Sequence, residues 1–373
     1  MTIAINTRCF NEGERRDCDS YIFEIFKRVA RIHSEHTFVF IYDKNSKDEF
    51  GWPVNVIPVA KVFKKHTALE RLLWLDIKIP LLLRKYKADI LVSNDHCSLT
   101  TKVPQCLILN DLSFLHFPLF VKKGELIFYK KYAPRFLKKS RTIITVSNFV
   151  KAAIAQRYKT PEDKIKAVLT GVNKIFQPLS LPEKENIKEK FAGGSEYFIY
   201  SGEIHPRNNL MNLLKAFSAF KKRQKSNMQL LIISEGKSND DELLINLRSY
   251  KFRDDVKLLT DLSENESAKL IASAYAMVYV PFYENYGTAM LKAMKCDVPV
   301  ITSTAGVTNE ICDDAALYAS ADDFKDIAVK MMQLFRDEKL RKELIEKGRR
   351  QVQKFTWDNT AQLVWDTIKK TAG

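Results

Sequence analysis

Short apolar runs alternate with helix-period segments along almost all of this chain, and few folds accept that alternation. A strand in a parallel sheet is buried on both faces, so it reads as a continuous apolar run, and each parallel return needs a crossover long enough for a helix. The strands predicted on this basis are Thr2–Asn6, Thr37–Tyr42, Val54–Val59, Asp89–Ser93, Gln105–Asn110, Thr142–Val146 and Lys166–Leu169 in the first half. In the second half they are Tyr197–Ser201, Gln229–Ser234, Val256–Leu259, Met277–Val280 and Val298–Thr302. Helices are predicted at Ser20–His33, Ala68–Tyr86, Lys123–Lys138 and Phe149–Tyr158, then at Asn208–Lys222, Asp240–Tyr250, Glu264–Ala274 and Thr288–Lys295, with several more closing the chain. The pattern breaks once, between Pro178 and Gly194, where two prolines, a charged stretch and two glycines read as a linker. The expectation is an α/β protein of two doubly wound, Rossmann-like domains, 1–178 and 196–356, joined by a linker at 179–195 and binding a ligand in the cleft between them.

Composition adds bounds on compartment and partners. No apolar run reaches the roughly 18 residues needed to span a bilayer, and the opening MTIAINTRCF lacks a basic n-region and a long apolar h-region. Six cysteines form neither a CxxC pair nor a Cys/His ligand spacing, so a reduced, cytoplasmic protein without a structural metal is expected. The net charge of +15 is lopsided: residues 1–180 hold 31 lysines and arginines against 17 acids, whereas 181–373 are nearly balanced. A basic first half suits anionic lipid headgroups or phosphorylated acceptors, or is simply a lysine-rich solvated surface. Nucleic acid is disfavoured as a partner because no recognition motif accompanies the charge. Within this half, Lys61 to His66, continuing to Trp74 and Arg84–Lys87, mixes cations with aromatics as a membrane-facing surface would. An amphipathic core helix explains Leu69, Leu72, Leu73 and Leu75 equally well.

The richest stretch runs from Ala276 to Tyr318. An apolar strand enters the loop Tyr283-Glu284-Asn285-Tyr286-Gly287-Thr288, a helix follows, and a second apolar strand comes next. A lone carboxylate at the carboxyl end of a strand, beside a glycine that opens a helix, is suited to gripping a polar ligand; the helix N-terminus suits phosphate oxygens.

This stretch resembles the signature of the retaining GT-B glycosyltransferases of the GT4-type group, Pro-Ser-x-x-Glu-Gly-Phe-Gly followed by a second glutamate and Ala-Met-(small)-x-Gly-x-Pro-Val. Three further segments are similar to that family: Thr145–Phe149 with Gly171–Pro178, Ser201–Leu210, and Phe355–Ala361. The resemblance implies a GT-B architecture, with a C-terminal helix (357–371) crossing back onto the first domain. It also implies transfer of a sugar from a nucleotide-diphosphate donor to a glycan or lipid-linked acceptor, without a cofactor and without a divalent metal. Glu284 would accept hydrogen bonds from the donor sugar, and Arg207 would grip the diphosphate and offset charge on the leaving group. Gly202, Asn208, Tyr286, Gly287 and Thr288 would line the rest of the donor site, the last three through backbone amides. Asn110, Asp111 and His116 would face the acceptor. In the family, retention is usually explained by same-face attack, with the departing phosphate taking the acceptor's proton. Other roles fit the same residues: a surface ion pair for Arg207 or Glu284, a turn for Gly287, loop packing for His116.

Four positions depart from the family pattern. Lys292 stands where the second glutamate would hold ribose hydroxyls, Asn208 where a phosphate-binding lysine is usual, and Asn110-Asp111 where His-Asp is common. The N-terminal glycine-rich loop is replaced by the charged segment Asn11–Ser20. Lys292 lies about one helical turn beyond Thr288, so it either turns back toward the diphosphate or faces solvent. Two readings follow: an active glycosyltransferase, cytoplasmic or peripheral at the inner face of the membrane, and a catalytically silent GT-B homologue that serves as a binding subunit.

Overall fold

The computed structural model describes residues 1–7, 15–43, 51–61, 67–234 and 249–373. They form two compact units, one of residues 1–171 with 357–373 and one of 172–356. Most of the predicted helix Asp240–Tyr250, most of the basic segment Lys61–His66 and part of the charged segment Asn11–Ser20 lie outside the described residues.

The first unit is built on seven parallel strands: β1 (Thr2–Asn6), β2 (Thr37–Asp43), β3 (Val56–Lys61), β4 (Ile90–Asn94), β5 (Gln105–Ile108), β6 (Thr142–Thr145) and β7 (Ile165–Ala167). Their order is β3-β2-β1-β4-β5-β6-β7, which reverses direction between β1 and β4. β4 and β5 are buried along their whole length, as strands covered on both faces must be. The C-terminal helix Trp357–Ala372 packs on β4, β5 and β6 and against the helix Arg15–Ile32. Trp365 stacks on His33 with ring centroids 4.0 Å apart, Thr360 donates to the Leu169 carbonyl at 2.8 Å, and Arg141 donates to the Thr371 carbonyl at 3.1 Å. Gly171 faces the start of this helix: a Cβ there would lie 2.4 Å from the Trp357 backbone nitrogen.

The second unit carries six parallel strands: β8 (Tyr197–Gly202), β9 (Gln229–Ser234), β10 (Val256–Leu259), β11 (Ala276–Tyr279), β12 (Val300–Thr302) and β13 (Ala316–Tyr318). The order β10-β9-β8-β11-β12-β13 reverses between β8 and β11. A core of Phe198, Phe217, Phe220, Tyr275 and Phe335 lies on one face, with Phe198 and Phe220 edge to face at 5.1 Å. The strand β13 was not foreseen, since three residues are too few to show a period. Within the segment read as a linker, Leu181–Ala192 is a helix started by the Ser180/Glu183 capping box and ended by Gly193 in the left-handed region. Cys97, Cys106, Cys296 and Cys312 are buried, and burial pushes the Cys106 thiol up to about 11 and that of Cys296 to about 12, so they behave as small apolar groups.

Candidate active site

In an open α/β sheet the ligand crevice lies beyond the carboxyl ends of the strands where the order reverses. In the second unit these ends are Gly202 of β8 and Tyr279 of β11. Gly202 is held close to both neighbours, since a Cβ there would stand 3.3 Å from the Tyr279 ring and 3.4 Å from the Tyr200 hydroxyl. After β8 the chain makes one 3-10 turn, Pro206–Asn208, in which His205 Nδ1 accepts the Arg207 N–H. Asn209 then turns with φ +62° and donates from its side chain to the carbonyls of Val280 (2.9 Å) and Ala321 (2.7 Å). The Phe282 N–H donates to the Arg207 carbonyl at 2.7 Å. These bonds stitch the loop after β8 to the loop after β11.

Glu284 is the node of the second loop. Its Oε1 accepts the N–H groups of Asn285, Tyr286 and Gly287 at 3.1, 2.9 and 3.0 Å, and its Oε2 lies 2.5 Å from the Tyr279 hydroxyl. The amides of Tyr286 and Gly287, expected to meet phosphate oxygens, therefore donate to Glu284 here. Three convergent amides ahead of the helix Thr288–Lys295 make an anion-binding concavity, with the carboxylate oxygen in the place of an anionic ligand oxygen. The Tyr279 hydroxyl also lies 3.2 Å from Asn208 Oδ1. It has one proton to give, and burial with the nearby Glu284 charge holds its pKa well above the usual value, so it stays a donor.

Two glycines make this geometry possible. Gly287 sits at φ +71°, where a Cβ would strike Ile311 at 2.5 Å. Gly306 sits at φ +68° with its α-carbon over the Glu284 backbone; a Cβ would lie 2.0 Å from the Glu284 carbonyl oxygen. That carbonyl accepts the Val307 N–H at 3.0 Å, so the loop after β12 braces the glutamate from behind.

The remaining predicted donor-side residues gather at the same edge. Arg207 is mostly buried and bonds Glu203 at 3.2 Å, while Asn208 donates to the Glu203 carbonyl at 2.9 Å. Thr288 opens the helix that Gly287 caps. Lys292 is half-buried on that helix, with its ammonium 5.4 Å from the centroid of the buried Phe176 ring, a cation–π contact rather than a solvent-facing cation.

In the first unit Asn110 follows β5 with its side chain buried and both amide atoms unpaired among the described residues. Asp111 accepts from the Ser113 N–H at 2.6 Å and from its hydroxyl at 2.7 Å, opening the short helix Ser113–His116. His116 is largely exposed; desolvation lowers its pKa and the Asp111 charge raises it. Asp95, just past β4 with φ +58°, is a neighbour that sequence reading missed. Burial, then the Asp111 charge, push its carboxyl up to about 7 against the pull of the Asn110 N–H and Arg71.

Two family models match in chain order: Glycosyltransferase Family 4 over residues 20–174 and Glycosyl transferases group 1 over 182–351. The chain belongs to the group 1 glycosyltransferases. Among curated members, it is 27% identical to an O-antigen chain mannosyltransferase B from Escherichia coli over 67% of this chain and 66% of that protein. It is 26% identical to the O-antigen chain mannosyltransferase RfbU of Salmonella typhimurium over 87% of each. A solved sucrose-phosphate synthase from Thermosynechococcus elongatus has the same fold, with a TM-score of 0.80, 15% identity and coverage of 99% of this chain and 98% of that one. Two Rossmann-like parallel-sheet units place this glycosyltransferase in the GT-B class. Besides Asp95, two residues of the candidate site escaped sequence reading. Tyr279 looked like one more apolar strand residue, and Gly306 like an ordinary turn glycine; the only signal for it was a glycine soon after an apolar strand.

Proposed function

We propose that this chain is a retaining glycosyltransferase that moves a sugar from a nucleoside diphosphate onto a growing polysaccharide or lipid-linked glycan on the cytoplasmic side of a membrane. Mannose is the sugar favoured by the two O-antigen relatives. The observation that carries the reading is the joined pair of loops at the β8/β11 reversal, where Arg207 and the amides ahead of helix Thr288–Lys295 bring positive potential beside the Glu284 carboxylate. A diphosphate needs the first and sugar hydroxyls need the second. In the reaction, the bond from the anomeric carbon to the diphosphate oxygen breaks and a bond to the acceptor oxygen forms on the same face. The acceptor's proton passes to the departing phosphate. Arg207 offsets the charge that grows on that leaving group. Lys292 keeps a cation on the helix where the family pattern has a carboxylate, and we assign its charge to the diphosphate side of the donor.

The test is transfer of labelled sugar to a lipid-linked glycan fraction, with the anomeric configuration of the product read by NMR. Arg207→Ala is expected to lower kcat by about 10²–10³-fold, the usual cost of removing a donor aimed at developing charge. Activity should survive a chelator. A product of inverted configuration would contradict the mechanism. A second reading, a silent homologue, draws on Lys292 and on Glu284 being bonded within its own loop; it predicts no turnover and no nucleotide selectivity.

A further inference from the structure

The helical segment from Ala68 to Lys85 in the first unit has large apolar side chains on two sides. One side is core: Trp74, Leu75, Ile79 and Leu83 are all at most 2% exposed. The other carries Leu69, Leu73, Ile77 and Leu81, exposed by 68, 44, 52 and 58%. In a regular α-helix a four-residue spacing drifts around the axis by about 40° per step, because each residue turns about 100°. Here Trp74–Lys78 forms a π turn, which takes more residues per turn and offsets that drift. The four side chains are thereby kept along one stripe. A surface helix of a soluble protein ordinarily sets charged residues opposite its core face, so a second apolar stripe of this length needs a partner.

The charges beside the stripe say which partner. Lys78, Arg84, Lys85 and Lys87 are exposed on or just beyond the same helices, and residues 61–141 hold 17 lysines and arginines against six acids. Of the acids in the segment, Asp76 is turned inward: its carboxylate accepts the Leu99 N–H at 2.6 Å, and its carbonyl accepts from the Thr100 hydroxyl at 2.7 Å. Glu70 lies at the opposite end from the cations. These contacts, with the Arg71–Glu125 pair at 2.6 Å, fix the helix on the unit so that the stripe stays outward. Apolar side chains bordered by cations match a bilayer with an anionic surface, where the former enter the acyl boundary and the latter meet phosphates. Among the described residues no helix is long and apolar enough to cross a membrane, so such contact lies in the interface.

We infer that Leu69, Leu73, Ile77 and Leu81 form a membrane-docking face that seats this chain on anionic lipid. The inference deepens the lipid-linked acceptor of the proposed function, since such an acceptor is held in that surface. The experiment is co-sedimentation of the full chain with vesicles of phosphatidylcholine alone or with phosphatidylglycerol. The parent is expected to bind the anionic vesicles at least ten-fold better than the neutral ones. The variant L69Q/L73Q/I77Q/L81Q should lose at least ten-fold of that binding while keeping its melting temperature, because the replaced side chains are exposed. The charge variant K78E/R84E/K85E should lose a similar factor. An environment-sensitive dye on Ile77→Cys should shift to the blue on anionic vesicles, and the same dye on Leu181→Cys, exposed in the second unit, should not. A parent that stays in solution, a glutamine variant that binds within two-fold of the parent, or a dye at 77 that does not move would each overturn the inference. Concentration-dependent dimerisation removed by the glutamine variant, without vesicle binding, would overturn it in favour of a second copy. Nucleotide stabilisation is measured in the same samples. Stabilisation without vesicle binding sinks the docking face alone, and vesicle binding without stabilisation sinks the donor-site reading alone.

Discussion

The Tyr279 hydroxyl lies 2.5 Å from Glu284 Oε2, joining the end of β11 to the carboxylate five residues on. The same hydroxyl reaches Asn208 after β8, so a buried tyrosine sets the spacing of the two loops that make up the candidate site. Three amides on one oxygen and a hydroxyl on the other hold the carboxylate in one orientation.

Tyr279→Phe keeps the ring and removes that tie. Loss of a hydrogen bond to a charged acceptor costs about 1.5–3 kcal/mol, so a drop of a few degrees in melting temperature is expected. With Glu284 released on one side, kcat/KM should fall by about ten-fold or more. Unchanged kcat/KM would show that the amides alone position the carboxylate.

Gly306→Ala forces a methyl against the Glu284 carbonyl at a left-handed φ that alanine resists. We expect destabilisation of about 1–3 kcal/mol, as for other overpacked sites, and a larger fractional loss of donor binding than of melting temperature. Equal binding in variant and parent would remove the brace from the account.

Asp95→Asn tests the raised carboxyl. Its folded pKa of about 7 lies above the ordinary carboxylate value. Between roughly pH 4 and 7 the folded state then binds more protons than the unfolded one, and its contribution to stability falls as pH rises, levelling off above 7. Urea unfolding across that range should show the asparagine variant losing less stability than the parent and exceeding it above pH 7. Parallel curves would mean the carboxyl titrates normally.

Gly171→Ala places a Cβ 2.4 Å from the Trp357 nitrogen and 2.6 Å from its Cγ. The expected result is faster amide exchange along Trp357–Ala372, with β1 and β2 protected as before. Slow exchange throughout would show that the helix shifts without loss.

The sheets were legible because buried parallel strands are mostly apolar: β1 and β9 fall where the apolar runs predict them, and so does the half-buried edge strand β10, although Lys257 interrupts it. Other elements were hidden for identifiable reasons. The helix at 181–192 is half charged and has Pro182 in its first turn, so it carries no apolar stripe and its signal is the capping box. The π turn at 74–78 leaves the hydrophobic pattern of a plain helix. In the site, the motif located Glu284, Gly287 and Arg207, but the contact of Gly306 with Glu284 spans 22 positions and depends on tertiary closeness alone. Tyr279 was concealed by its own usefulness to the core, since strand aromatics are read as packing.

Thermal stabilisation by UDP, GDP, ADP and their sugar conjugates, run on the parent and on Arg207→Ala, tests for a nucleotide-diphosphate site at the β8/β11 edge. A ligand at about 100 times its dissociation constant adds about 2.7 kcal/mol, enough to raise the melting temperature by a few degrees. One base should be selected, and Arg207→Ala should abolish its shift. No shift with any nucleotide at millimolar concentration, or a shift that Arg207→Ala leaves intact, would contradict it.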